Sequence, residues 1–89
     1  MKKIIINCLE ISHKKALHNA FAEKLGFPEW YGGNLDALFD CLTGICEETE
    51  IIIEGFAALE ENLGSYAAAF KKVMLKADED NEKITVKIL

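Results

Sequence analysis

Eighty-nine residues, half of them apolar, are enough for one small domain and leave little room for a second function-bearing lobe. Fifteen acidic residues against ten basic ones, all ten of them lysine, give a formal net charge of -5. That balance argues against direct binding of nucleic acid, or of an anionic membrane surface, because both depend on clustered Lys and Arg; a basic partner suits it better.

The first residues, Met1 to Ile6, carry the two lysines of a signal peptide, but Asn7 and Glu10 interrupt the apolar stretch. The segment is therefore read as a first strand, and the protein is expected in the cytoplasm. No apolar run approaches the ~18 residues of a membrane span. The three cysteines, Cys8, Cys41 and Cys46, form no C-x-x-C pair, which disfavours a zinc or dithiol site. They read as small buried hydrophobes in a reducing compartment. No metal and no cofactor is expected.

Lys2 to Asn7 is a β-branched run without alternation, the pattern of a strand covered on both faces. Ser12 is the expected cap of a first helix, with Ala16, Leu17, Ala20, Phe21, Lys24 and Leu25 as its apolar stripe. Gly26 and Pro28 end it. Asn34 is expected to cap a second helix, Leu35 to about Thr43, which Gly44 stops. Glu50 to Glu54, around three consecutive isoleucines, reads as a second strand, broken at Gly55. A short helix over Phe56 to Asn62 should end near Gly64. A longer one, capped by Ser65, should bury Tyr66, Ala69, Phe70, Val73, Met74 and Ala77. Lys83 to Leu89 alternates as a third strand, and Asp78 to Lys83 is read as a solvated charged run. The order β-α-α-β-α-α-β predicts a single α/β domain over residues 1–89, a three-stranded parallel sheet with four helices packed on it.

Residues 30–45 carry the functional signal. On the second helix, Leu35, Leu38 and Leu42 share the core face, with Cys41 beside them. Asp36, Phe39, Asp40 and Thr43 share the other. Two carboxylates four residues apart with no lysine between them cost the helix about 0.2–0.5 kcal/mol. The helix dipole compensates Asp36 in the first turn more than Asp40. With Trp30 and Tyr31 just ahead of the cap, the surface suits a cationic partner: aromatics supply contact area and carboxylates accept charge-assisted hydrogen bonds. An ordinary exposed face and a catalytic carboxylate pair are the alternatives. For the latter, His13 or His18 would have to act as base, although both are expected at the surface of the first helix. No nucleophile triad, phosphate loop or ligand set supports an enzyme.

The run from Pro28 to Gly44, PEWYGGNLDALFDCLTG, resembles the core motif of the barstar family, intracellular inhibitors of barnase-type, guanyl-preferring microbial ribonucleases. Chain length and element order resemble that family too. The resemblance implies the barstar fold and a one-to-one complex of a monomeric inhibitor with an extracellular ribonuclease. It implies that Asp40 sits where a substrate phosphate would bind, that Asp36 is a second acidic contact, and that Trp30 covers the active-site histidine. Tyr31, Gly32, Asn34, Leu35, Phe39, Thr43, Gly44 and Ile45 are the neighbouring contacts. The chain departs from the motif at Gly33, where an acidic residue is common, at Ile45, where a large aromatic often sits, and near Lys76, where the family's late-helix Glu contact would fall. These changes remove acidic rim contacts. The competing reading is an interaction module on the same scaffold with a different basic partner.

Overall fold

The computed structural model describes residues 1–89. Strand β1 spans Lys2–Asn7, helix α1 Lys14–Leu25, α2 Leu35–Thr43, β2 Thr49–Glu54, α3 Phe56–Leu63, α4 Ser65–Asp80 and β3 Ile84–Ile88; a short 3₁₀ turn, Cys8–Glu10, follows β1. The strands are parallel in the order β1-β2-β3. The α/β architecture expected from the element order, three parallel strands and four helices, is therefore present.

Register explains which side of the sheet is core. Ile4, Ile51 and Val86 lie side by side, as do Ile6, Ile53 and Ile88. These rows point inward with Thr49 and Ile84, and Ile6, Ile51 and Ile53 are fully buried. The opposite face carries Lys3, Glu50 and Thr85 in one row and Ile5, Ile52 and Lys87 in the next. It is not covered: Ile5 is 43% exposed. The expectation of a sheet buried on both faces is thus corrected. The isoleucine triplets lack alternation, yet the pleat still sends every second residue outward. On that outer face Glu50 pairs with Lys87 at 2.8 Å and Lys3 at 3.9 Å. The Lys87 hydrogen bond, more than any other influence, holds the Glu50 carboxyl below its ordinary value.

The helices close over the inner face around one core that includes Leu17, Phe21, Leu38, Leu42, Phe70 and Met74. Phe21 and Phe70 meet edge to face at 5.7 Å between ring centres, joining α1 to α4. Three helix starts and faces differ from expectation. The cap of α1 is His13, not Ser12: its Nδ1 accepts from the Ala16 N–H at 3.2 Å. Ser65 is the first residue of α4 rather than its cap, and Gly64 ahead of it makes no side-chain cap bond. Lys24 and Ala69, placed on apolar stripes, are exposed, and His18 and Ala67 take buried positions instead. Cys8 is buried and Cys41 half-buried, but Cys46 is exposed, against the expectation that all three are core.

Candidate partner-binding surface

Helix α2 begins and ends where its sequence says it should. Asn34 is extended (φ -133°, ψ 172°), and its Oδ1 accepts from the Ala37 N–H at 2.8 Å. Gly44 closes the helix, its N–H donating to the Asp40 carbonyl at 3.1 Å. Leu38 and Leu42 are fully buried. That anchors one side of the helix and points the opposite side, Asp36 and Asp40, into solvent; both are exposed. Neither belongs to an ion pair; the ion pairs of the chain are Lys3–Glu50, Lys87–Glu50 and Lys76–Asp80.

The remaining motif residues divide between the two flanks of this acidic crest. On one flank, Phe39 is half-buried and packs against the core, as does Leu35. The expected outward Phe39 is thus only partly presented, because its position borders the leucine face. Thr43 lies beside it, with its Oγ1 donating to the Phe39 carbonyl at 2.9 Å. On the other flank, Ala37, Asp40, Cys41, Gly44 and Ile45 form one wall of an open groove of about 640 Å³, and the Leu25–Gly32 segment forms the other. Trp30 stands on that far wall 82% exposed. Gly32 lies close under α2: a β-carbon there would sit 3.5 Å from the Ala37 Cβ and 3.3 Å from the Asn34 amide nitrogen. The groove brings Trp30, Tyr31, Gly32, Asp40, Gly44 and Ile45 together; Asp36 lies outside it, on the crest.

Position 33 explains one departure from the motif. Gly33 has φ +66°, in the left-handed region where a side chain is strained. Lys76, the other charge departure, is tied to Asp80 at 3.5 Å.

Two buried polar side chains hold the groove walls, and both fall outside the motif. His18 is 3% exposed rather than at the surface. Its Nδ1 hydrogen-bonds the Tyr31 hydroxyl at 2.6 Å and its Nε2 the Tyr66 hydroxyl at 2.7 Å. Burial pushes the imidazole below its ordinary value, which favours the neutral ring. In that form one nitrogen donates and the other accepts. Burial, with smaller contributions from Cys41 and Tyr66, pushes the Tyr31 hydroxyl far above its usual value, so it stays protonated. Tyr31 also packs on Phe27, 4.9 Å between ring centres. Of the two adjacent aromatics, Tyr31 is the anchor and Trp30 the free one.

The second clamp is Asn81, in the segment read as a plain solvated run. It is 9% exposed, and its Nδ2 donates to the carbonyls of Leu42 and Ile45 at 2.9 and 3.0 Å. Nearby, Asp78 accepts from the Val86 N–H at 2.7 Å. His18 was open to detection, since it falls at i, i+3, i+7 with Phe21 and Leu25. Asn81 gave no periodic signal, because its partners are carbonyls some 40 residues earlier in the chain.

No reactive group emerges at the groove. The Cys41 thiol is raised by burial and then by Asp40, which favours the unreactive thiol. His13 is occupied as a helix cap and His18 between two phenols, which leaves neither histidine placed as a base for Asp36 or Asp40.

The fold places the chain among small α/β domains whose parallel sheet is covered by helices on one face. A family model described as Barstar (barnase inhibitor) matches residues 1–89, and the chain belongs to the barstar family. It is also 40% identical over 81 residues to a Bacillus subtilis (strain 168) protein named "Putative ribonuclease inhibitor YrdF", an alignment spanning 90% of this chain and 89% of that relative.

Proposed function

We propose that the protein is a non-catalytic inhibitor of a barnase-type, guanyl-preferring microbial ribonuclease, acting one-to-one as a monomer in the cytoplasm. The observation that carries this reading is the pair Asp36 and Asp40, exposed on a capped helix and left without a cation of their own. Membership of a family described as barnase inhibitors supports it, as does the name of the Bacillus relative.

The mechanism is steric and electrostatic. A ribonuclease must present cationic and hydrogen-bonding groups to the phosphate as charge develops on it. Asp40, at the lip of the groove, takes the place of the scissile phosphate and accepts hydrogen bonds from those groups. Asp36 adds a second contact on the crest. The free ring of Trp30 covers the active-site histidine, and the groove beside it excludes water, which strengthens each charge-assisted bond.

Titration of barnase against RNA hydrolysis tests this. Activity should fall linearly to an endpoint at one inhibitor per enzyme. Absence of inhibition at a several-fold excess contradicts the reading. It would favour instead an interaction module with another basic partner, the reading that Gly33 and the Lys76–Asp80 pair support by leaving the rim less acidic.

A further inference from the structure

Asn81 lies 36 and 39 residues from the two carbonyls it binds, in the turn between α4 and β3. Its orientation is unambiguous. Oδ1 accepts from the Lys83 N–H at 2.9 Å, and only an N–H donor can face the two carbonyl oxygens on the other side. Both of its side-chain polar atoms are therefore paired, and the residue is only 9% exposed. The two carbonyls are informative. That of Leu42 is among the last of α2, which have no partner within the helix. It also accepts from the Ile45 N–H at 3.3 Å, a long bond for a helix end. Ile45 itself lines the groove beside Gly44 and Asp40. No other side chain hydrogen-bonds either carbonyl.

We propose that Asn81 is a positioning residue for the inhibitory surface: through Leu42 and Ile45 it fixes the end of α2 and the Gly44–Ile45 turn, so that one groove wall is set before the partner arrives. This rests on the proposed inhibitor function. Asn81 is buried and touches no partner. Its effect on binding comes from preorganisation, since a wall already in place has less ordering to undergo on association. Loosening the wall should appear as faster dissociation, the step through which most changes at one interface act.

The test uses Asn81→Asp, which retains the acceptor for the Lys83 N–H but replaces the donor with a carboxylate oxygen facing two carbonyls. Asn81→Ala, which removes the donor without adding charge, is the second variant, and Ile53→Val, a core change away from the groove, is the control for lowered global stability. Amide hydrogen exchange on the free protein should accelerate at Gly44 and Ile45 more than at Leu38 for both Asn81 variants, and not for Ile53→Val. Dissociation from barnase should be roughly tenfold faster for the Asn81 variants and unchanged for Ile53→Val. Wild-type exchange at Gly44 and Ile45 would overturn the proposal whatever barnase does, as would wild-type dissociation despite faster exchange. If the wild-type protein fails to bind barnase, the inhibitor reading falls, while the exchange experiment still decides whether Asn81 holds the wall.

Discussion

A buried imidazole between two phenols makes stability depend on pH in a definite direction. His18 in the folded protein lies below its unfolded value near 6.5. Between those two values the unfolded chain binds the extra proton, so acid favours unfolding. The contribution of His18 is therefore full above about pH 6.5, declines as pH falls below it, and levels off beneath the folded value. Urea midpoints measured between pH 7.5 and 5.5, above most carboxylate titrations, should fall as the pH is lowered. His18→Gln should flatten that slope, and equal slopes in the two proteins would contradict the assignment. The Tyr31 hydroxyl adds a separate expectation. Tyr31→Phe leaves a buried His18 nitrogen without its 2.6 Å partner, which should cost about 1–3 kcal/mol of folding stability. A Tyr31→Phe chain as stable as wild type in urea would show that the bond carries no weight.

At the scale of the element, α2 decides whether the carboxylates are presented at all. Nine residues make a helix too short to persist without tertiary packing, so the core leucines and the cap each matter. Asn34→Ala removes the Oδ1 acceptor of the Ala37 N–H and should cost about 1 kcal/mol. Equilibrium denaturation would register this as a lower midpoint with an unchanged slope; no shift would mean that the cap is dispensable. This helix was also the most legible element in the sequence, because Asn at one end and Gly at the other mark termini by chemistry that requires no knowledge of the rest of the chain. The strands were legible as strands, but the exposure of Ile5 was not, since a run of isoleucines conceals the period of two. The cap of α1 was misassigned because Ser12 is the commoner cap residue, whereas the backbone brings His13 Nδ1 to the free N–H. Of the candidate surface, the acidic crest could be read from residues 30–40, but not which of Trp30 and Tyr31 is the exposed ring, because that is decided by the packing of Tyr31 on His18 and Phe27. The groove could not, because its walls are set by His18, Tyr66 and Asn81, which are brought to the motif only by tertiary folding.

For the molecule as a whole, charge and shape act on different steps of binding. A net charge of -5 attracts a basic partner over a distance of about 10 Å at 0.1 M salt. Stopped-flow association with barnase should therefore slow steeply from low salt to 0.5 M, while dissociation, governed by contacts already formed, changes much less. An association rate indifferent to salt would remove long-range attraction from the account. The outer face of the sheet is expected to stay out of the complex, since its Lys3–Glu50–Lys87 ladder sets two cations against one carboxylate, a net positive charge that a cationic site repels, and the acidic crest belongs to α2. What remains is whether the crest itself enters the cationic site. The most direct measurement is the dissociation constant of Asp40→Ala for barnase at fixed salt, set beside that of the wild-type protein. Removing one partner of a desolvated charge pair should weaken binding by about 3–5 kcal/mol. A dissociation constant equal to wild type would mean that Asp40 does not occupy the phosphate position.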